Sequence, residues 1–423
     1  MQLCIFEDHN FNNFYPLNLS RPVYELVCGL STLKEKLLRN FPSVKYSLHC
    51  RKYLEEVIKE ESHNIPVNEI WDEVCLFLNG SVIDWQSLEN LELHKLDSDK
   101  LFINGDVVIA ARISGNNLNK IKSNLPDTFK QEDFAGIPVE NTEVKAARFI
   151  WDLIKYNGKE ITEDIKWIIS KSTSLRDNPH QGNIYEGVYT VGKKDIYIES
   201  GAVVKPGVVL DASNGPIFID RDALVYPNAA IEGPVYIGEE SRIKMGATIY
   251  ENVSIGKVCK VGGEVEECIF MPYSNKQHAG FIGHAYIGSW VNLGADTNCS
   301  DLKNNYSPVT ATIDDKKYET GLQFLGLIIG DHSKSAINTM FNTGTIAGFS
   351  SNIFGSGFPD KFIPSFAWGG GEEMTTYELA KALEVAKKVM ARRKKTLTPA
   401  AEEMFNKIFE LTSIERNRRG FPG

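Results

Sequence analysis

The spacing of apolar residues changes along the chain, and the changes divide it into three parts. Up to about residue 165, strand-like runs alternate with helix-like stretches. The strands are Leu3-Cys4-Ile5-Phe6, LFLNG at 76–80 and LFINGDVVIAARI at 101–113; the clearest helical patterns are RKYLEEVIKEE from Arg51 and AARFIWDLIKYN from Ala146. Strands separated by helices predict an α/β layer architecture. From about 185 to 355 an aliphatic residue recurs at every sixth position, through Ile219, Val225, Ile231, Ile237, Ile243, Ile249, Ile255 and Val261. Neither a helix nor a simple strand has that period. It predicts a β-helix, in which each hexapeptide makes one short strand and one turn and the recurring side chain points inward. The register reaches back through Ile198 and Val204, is interrupted from Asp211 to Pro216, and returns at Ile282-Gly283, Ile287-Gly288 and Leu293-Gly294. Between Gly262 and His278, the stretch ECIFMPYSNK reads as extra residues that break it.

A third part follows the Gly-rich break WGGGEE at 368–373. Thr375 with Glu378 forms a capping-box pattern that predicts a helix to about Arg393, and Thr398-Pro399 predicts the N-cap and first position of a second helix. The basic run Arg392–Lys395 reads as a solvated helix end or as a phosphate-binding patch, and the helix end is the simpler of the two. The expected domains are therefore 1–170, 185–360 and 372–423.

Composition narrows the function classes. A chain of 423 residues with 42% hydrophobic and 24% charged residues is that of an ordinary globular protein, and a net charge of −9 argues against a dedicated nucleic-acid binder. An anionic substrate needs only a few placed cations and stays open. The seven cysteines are scattered with no C-x-x-C pair, which fits reduced thiols in a cytoplasm. No apolar run approaches the ~20 residues of a membrane span, and the N-terminus has no secretory pattern. A cytoplasmic protein with no membrane partner is the expectation.

The segment KQHAGFIGHAYIGSWVNLGADTNCSDLKNN at 276–305 resembles the acetyl-transfer site of the bifunctional N-acetylglucosamine-1-phosphate uridylyltransferase / glucosamine-1-phosphate acetyltransferases, and is most similar to a shortened bacterial and archaeal branch. The resemblance implies a nucleotidyltransferase-like (Rossmann-like) α/β domain followed by a left-handed parallel β-helix and short C-terminal helices. It implies acetyl-CoA as co-substrate, Mg²⁺ for nucleotidyl transfer, a sugar 1-phosphate and a nucleoside triphosphate as substrates, and a homotrimer with sites between neighbouring prisms. In such an assembly the chain beyond Phe341-Asn342-Thr343-Gly344 is expected to help bind the cofactor of an adjacent subunit. Carried over by residue, His278 is the general base, Asn292 orients the sugar amine, Ala295 contacts acetyl-CoA, and Lys244 stands where the family has a phosphate-binding arginine. Lys276 and Lys303 are further candidate cations for that phosphate. Phe281 replaces a family tyrosine, so one hydroxyl contact to the sugar phosphate is missing. The longer run at 306–325 is expected to fold as a hairpin over the groove.

In the first domain the family's Gly-rich loop is absent, with no glycine between the first strand and Gly29. Arg21, Lys34 (or Lys36 beyond it) and Asn79 are the candidate nucleotide-binding residues, and Asp106 in Gly105-Asp106 is the candidate metal ligand. Two other readings follow from the same residues: a nucleotidyltransferase for another sugar 1-phosphate, such as glucose 1-phosphate with dTTP, carrying the β-helix as a trimerisation scaffold, or a non-catalytic sugar-nucleotide-binding trimer.

Overall fold

The structure is a computed structural model that describes residues 1–313 and 316–421. It divides into two compact units. The first comprises Met1–Leu26, Ser31–Ile150 and Thr398–Lys407. Its six-stranded sheet contains β1 (Gln2–Phe6), β2 (Tyr46–Leu48), β3 (Val74–Asn79), β4 (Lys100–Asn104), β5 (Val107–Ser114) and β6 (Val139–Asn141), in the order β2-β1-β3-β5-β4-β6. Strand β1 pairs in parallel with β2 and β3, whereas β5 runs antiparallel to β3 and β4. On one face of the sheet Phe6, Phe77, Phe129 and Phe134 meet at 5.1–6.4 Å between ring centroids, mostly edge to face, and each such pair adds about 0.5–1.5 kcal/mol beyond its burial. The helical pattern from Arg51 folds as a single 3-10 turn and then the helix Glu55–Glu61.

The second unit comprises Val27–Leu30, Trp151–Leu397 and the described residues from Ile408. Its centre is a three-sided parallel β-helix. Its first face contains Ile196–Ile198, its second Val203–Val204 and its third Val209–Asp211, and among the described residues the three sheets hold nine, eleven and eight strands respectively. The pairing carries Ile217 onto Val235 and Val235 onto Val253, so that one regular coil is three hexapeptides. Inward residues such as Ile219, Ile237, Ile243 and Ile255 are fully buried. Each contributes about 1.5–3 kcal/mol of burial, which makes the stacked prism stable despite its very short strands.

The interruption at Asp211–Pro216 lies in a coil that is half a hexapeptide longer than a regular one, from Ile196 to Ile217, with its three sheets unbroken. The stretch ECIFMPYSNK corrects the expectation of an insertion. It belongs to a coil that is half a hexapeptide shorter than a regular one, from Lys260 to Asn275, and its strands Ile269–Phe270 and Asn275–Lys276 pair normally with the coil before. The genuine insertion is later, where the step from Tyr286 to Ile328 is more than twice the length of a regular coil. It carries the expected hairpin, Thr310–Ile313 against Lys316–Glu319, whose connecting residues 314–315 lie outside the described residues.

The helix Ile150–Lys171 packs along the β-helix through an Asn-Gly pair. Asn157 is fully buried; its Oδ1 accepts from the Gly29 N–H and the Ser254 hydroxyl, and its Nδ2 donates to the Asn252 carbonyl. A Cβ at Gly158 would fall 1.7 Å from Asn252 Oδ1, so any larger residue would have to displace the Asn252 side chain, and glycine stands there despite costing a helix about 1 kcal/mol.

At the C-terminal end, the helix predicted from Thr375 begins only at Leu379, because Met374–Thr376 pairs antiparallel with Ala367–Gly369. Thr398 does cap the helix Pro399–Leu411, its hydroxyl accepting from the Ala401 N–H at 3.2 Å. This C-terminal segment is divided between the two units and has no core of its own. All seven cysteines are buried thiols, and no described helix is long and apolar enough to cross a membrane.

Candidate active site

One edge of the β-helix, the corner where the chain turns from the second face to the third, gathers most of the predicted acetyl-transfer residues. His278 follows the second-face strand Asn275–Lys276, and Ala295 follows the next one up, Asn292–Leu293, which pairs with it residue for residue. The Asp296 N–H donates to the Ala279 carbonyl at 3.1 Å, which places the two corners one above the other. Lys244 occupies the same corner two coils below, roughly 10 Å at a strand spacing of 4.7–4.9 Å, with its ammonium 5.1 Å from the Tyr226 ring. His278 and Asn292 are exposed, and neither side chain makes a hydrogen bond or ion pair within the described residues. An unpartnered imidazole can take a proton, and an unpartnered amide on the strand above can orient an amine.

Lys276 corrects its expected role as a phosphate ligand. It occupies an inward slot of the prism, paired with Val261 below and Leu293 above, and is 1% exposed. Its ammonium donates to the carbonyls of Gly262 and His278, both at 3.0 Å, and burial pulls it down from its ordinary value to about 8. A Cβ at Gly263, whose φ is +73°, would fall 2.6 Å from that ammonium, so the corner has room for it only because glycine is there. Lys276 thus ties down the backbone that carries His278. The spacing held a signal for this, because Phe270, Lys276 and Ile282 stand six apart in the aliphatic register.

Lys303 lies at a different corner, at the start of the insertion, and donates to the Pro308 carbonyl at 2.6 Å. The hairpin belongs to that corner too: a Cβ at Gly344 would meet Val309, and the Gly344 N–H donates to the Leu325 carbonyl. It does not cover His278. The same corner holds an arrangement that the sequence reading missed, His284 with its Nδ1 2.8 Å from Asp301 Oδ2 and its ring stacked on Phe324 at 4.9 Å.

In the first unit the side chains of Asn79 and Lys34 are engaged internally, whereas at Arg21 the hydrogen bond described is to its backbone carbonyl. Asn79, at the end of β3, donates to Asp8 Oδ2 at 2.9 Å and to the Val108 carbonyl, while its Oδ1 accepts from Ser81. The carbonyl of Arg21 accepts from Arg51, whose buried guanidinium forks onto Glu7 at 2.8 and 3.1 Å. Lys34 is ion-paired with Glu25, and Lys36 is buried in the helix Leu33–Leu38. Glu7 and Asp8 were not anticipated, although two carboxylates directly after the first strand mark the place where a parallel sheet receives its ligand. Burial raises both, opposed at Glu7 by Arg51 and at Asp8 by Asn79.

Asp106 is 70% exposed, and it faces Arg148 at 2.9 Å rather than another carboxylate. No group of three or more His, Cys, Asp or Glu among the described residues could hold a metal. Mg²⁺ is ordinarily held by one or two carboxylates together with substrate phosphates, and at Asp106 the neighbouring charged group is a guanidinium rather than a second carboxylate.

Residues 3–173 match the model of the sugar nucleotidyl transferase family. The chain is 27% identical over 341 residues to the bifunctional protein GlmU of Methanocaldococcus jannaschii, covering 80% of this chain and 73% of that protein. It is 30% identical over 204 residues to the bifunctional sugar-1-phosphate nucleotidylyltransferase/acetyltransferase of Sulfurisphaera tokodaii, covering 48% and 43%, and 23% identical over 280 residues to the GlmU of Wigglesworthia glossinidia brevipalpis, covering 62% and 53%. The matched stretch thus spans about half the length of two of these relatives. The resemblance read at 276–305 is to this same group of proteins.

Proposed function

We propose that the protein is a transferase of sugar-nucleotide biosynthesis that moves an acetyl group from acetyl-CoA to the amine of glucosamine 1-phosphate at the His278 corner, and joins the product to UTP through its first unit. The observation that carries the first half is the unpartnered imidazole of His278, whose backbone carbonyl is held by the buried Lys276, with Asn292 and Ala295 on the next strand and corner above and Lys244 two coils below. His278 takes a proton from the amine as its nitrogen attacks the thioester carbonyl. The tetrahedral intermediate collapses and the C–S bond breaks. CoA leaves as a thiolate and is protonated, and an amide has formed. Asn292 holds the attacking nitrogen, and Lys244 neutralises the sugar phosphate as a point charge, without the fork an arginine would offer. The match over residues 3–173 supports the nucleotidyl half, which releases pyrophosphate. A homotrimer in the cytoplasm, where acetyl-CoA and UTP are made, completes the reading.

Incubation with acetyl-CoA and glucosamine 1-phosphate should yield N-acetylglucosamine 1-phosphate by mass spectrometry, and subsequent UTP should yield the sugar nucleotide with pyrophosphate. His278→Ala should slow the first step by about 100-fold or more and leave the second intact when N-acetylglucosamine 1-phosphate is supplied. Absence of the acetylated product from the wild type would refute the acetyl-transfer half.

A further inference from the structure

The outward row of the second face is basic below the His278 corner. Arg242 pairs with Lys260 on the next strand, and Lys260 with Asn275 on the one after. The end of the helix Leu379–Ala391 reaches this row, where Arg393 Nη2 donates to Asn275 Oδ1 at 3.1 Å. That contact brings Arg392 and Arg393 to Arg242 and Lys260, and Lys244 borders the group at the adjoining corner. None of these five cations has an ion-pair partner among the described residues, in a chain whose net charge is −9. Asp222 and Glu240 line a groove with Arg242 on the side of the earlier coils, but neither reaches ion-pair distance of it. Burial lowers Lys260 first, and Arg393, Arg242, Lys244 and Arg392 lower it further; Arg393 is lowered by burial and then by Arg392 and Arg242.

A helix C-terminus accounts for basic residues on the helix, because its carbonyls carry partial negative charge. It does not account for an arginine and a lysine on the strands opposite. Like charges brought together and partly desolvated oppose one another, and the cost is offset when an anion sits among them. We propose that Arg242, Lys260, Arg392 and Arg393 form a binding site for a phosphate or diphosphate group, with Arg393 oriented by Asn275. Two phosphate-bearing sources fit this chemistry: a sugar phosphate bound near Lys244, and the diphosphate of a CoA-type cofactor. The inference stands on the charge cluster and not on the role of His278.

Titration calorimetry of the full chain with sodium pyrophosphate, without Mg²⁺, tests it. The wild type should bind, more weakly as salt rises. The Lys260→Gln/Arg393→Gln double variant should bind about tenfold or more weakly, and the exposed Arg242→Gln variant should also be weakened if the double variant misfolds. Lys95→Gln, which removes an exposed lysine paired with Glu92 in the first unit, should bind as the wild type does, which separates this site from general attraction to surface cations. Glucosamine 1-phosphate and CoA are then titrated in parallel, and the one whose affinity falls in the double variant supplies the phosphate. Equal pyrophosphate affinity in the wild type, the double variant and Arg242→Gln would overturn the proposal.

Discussion

The end of strand β3 in the first unit and the second-to-third corner of the β-helix both received candidate catalytic residues, and they differ in what those side chains have left to offer. Asn79 spends both of its amide groups on Asp8, Val108 and Ser81, and the nearby Arg51 is spent on Glu7 and two backbone carbonyls. At the corner, His278 and Asn292 are exposed with their hydrogen-bonding groups open, while the interior Lys276 secures the backbone beneath them. Polar residues that satisfy one another build a loop; polar residues left open over a tied-down backbone build a site.

The comparison breaks first if the Glu7–Arg51 pair is dispensable. Both groups are buried, so Arg51→Met leaves an uncompensated carboxylate, and the expected loss is about 3–5 kcal/mol. Hydrogen exchange of β1 and β3 should report it, while exchange in the β-helix strands stays unchanged. Glu7→Gln added to Arg51→Met should recover part of the loss. Wild-type protection in Arg51→Met would mean that the loop after β1 is not organised by this pair.

Lys276 sharpens the other half of the comparison, with a smaller effect confined to a pH window. Burial lowers its folded value to about 8 against an ordinary 10.5, so between those values the unfolded chain binds the extra proton. Stability from this group therefore rises with pH across that window. Its handicap is full below about 8, is gone above about 10.5, and is on the order of 3 kcal/mol. The stability of the wild type relative to Lys276→Met should climb across this range. A flat difference would show that the ammonium is not held in the prism.

What the sequence disclosed follows the same division. The six-residue period was legible because each face of the prism imposes it locally, from Ile219 through Val261, and Thr398-Pro399 was legible as a cap for the same reason. Thr375 and Glu378 misled because a local capping pattern lost to pairing with Trp368. Glu7 with Arg51 is a contact between distant residues, and no local pattern announces it. His278, Asn292 and Ala295 were singled out by the resemblance at 276–305, and hexapeptide spacing then relates their sequence separation to their positions on the prism. The same rule separates Lys303 from them, but only once the coil carrying the insertion has been counted.

The account turns on which histidine of this coil acts as the base, since His278 stands open at one corner and His284 is paired with Asp301 at the next. The direct measurement is the rate of CoA thiol release from acetyl-CoA and glucosamine 1-phosphate by the wild type, His278→Ala and His284→Ala, each checked for an unchanged oligomer size. Loss of release in His278→Ala with retention in His284→Ala is the predicted result. Retention in His278→Ala, with loss in His284→Ala, would contradict it and move the chemistry to the His284–Asp301 pair.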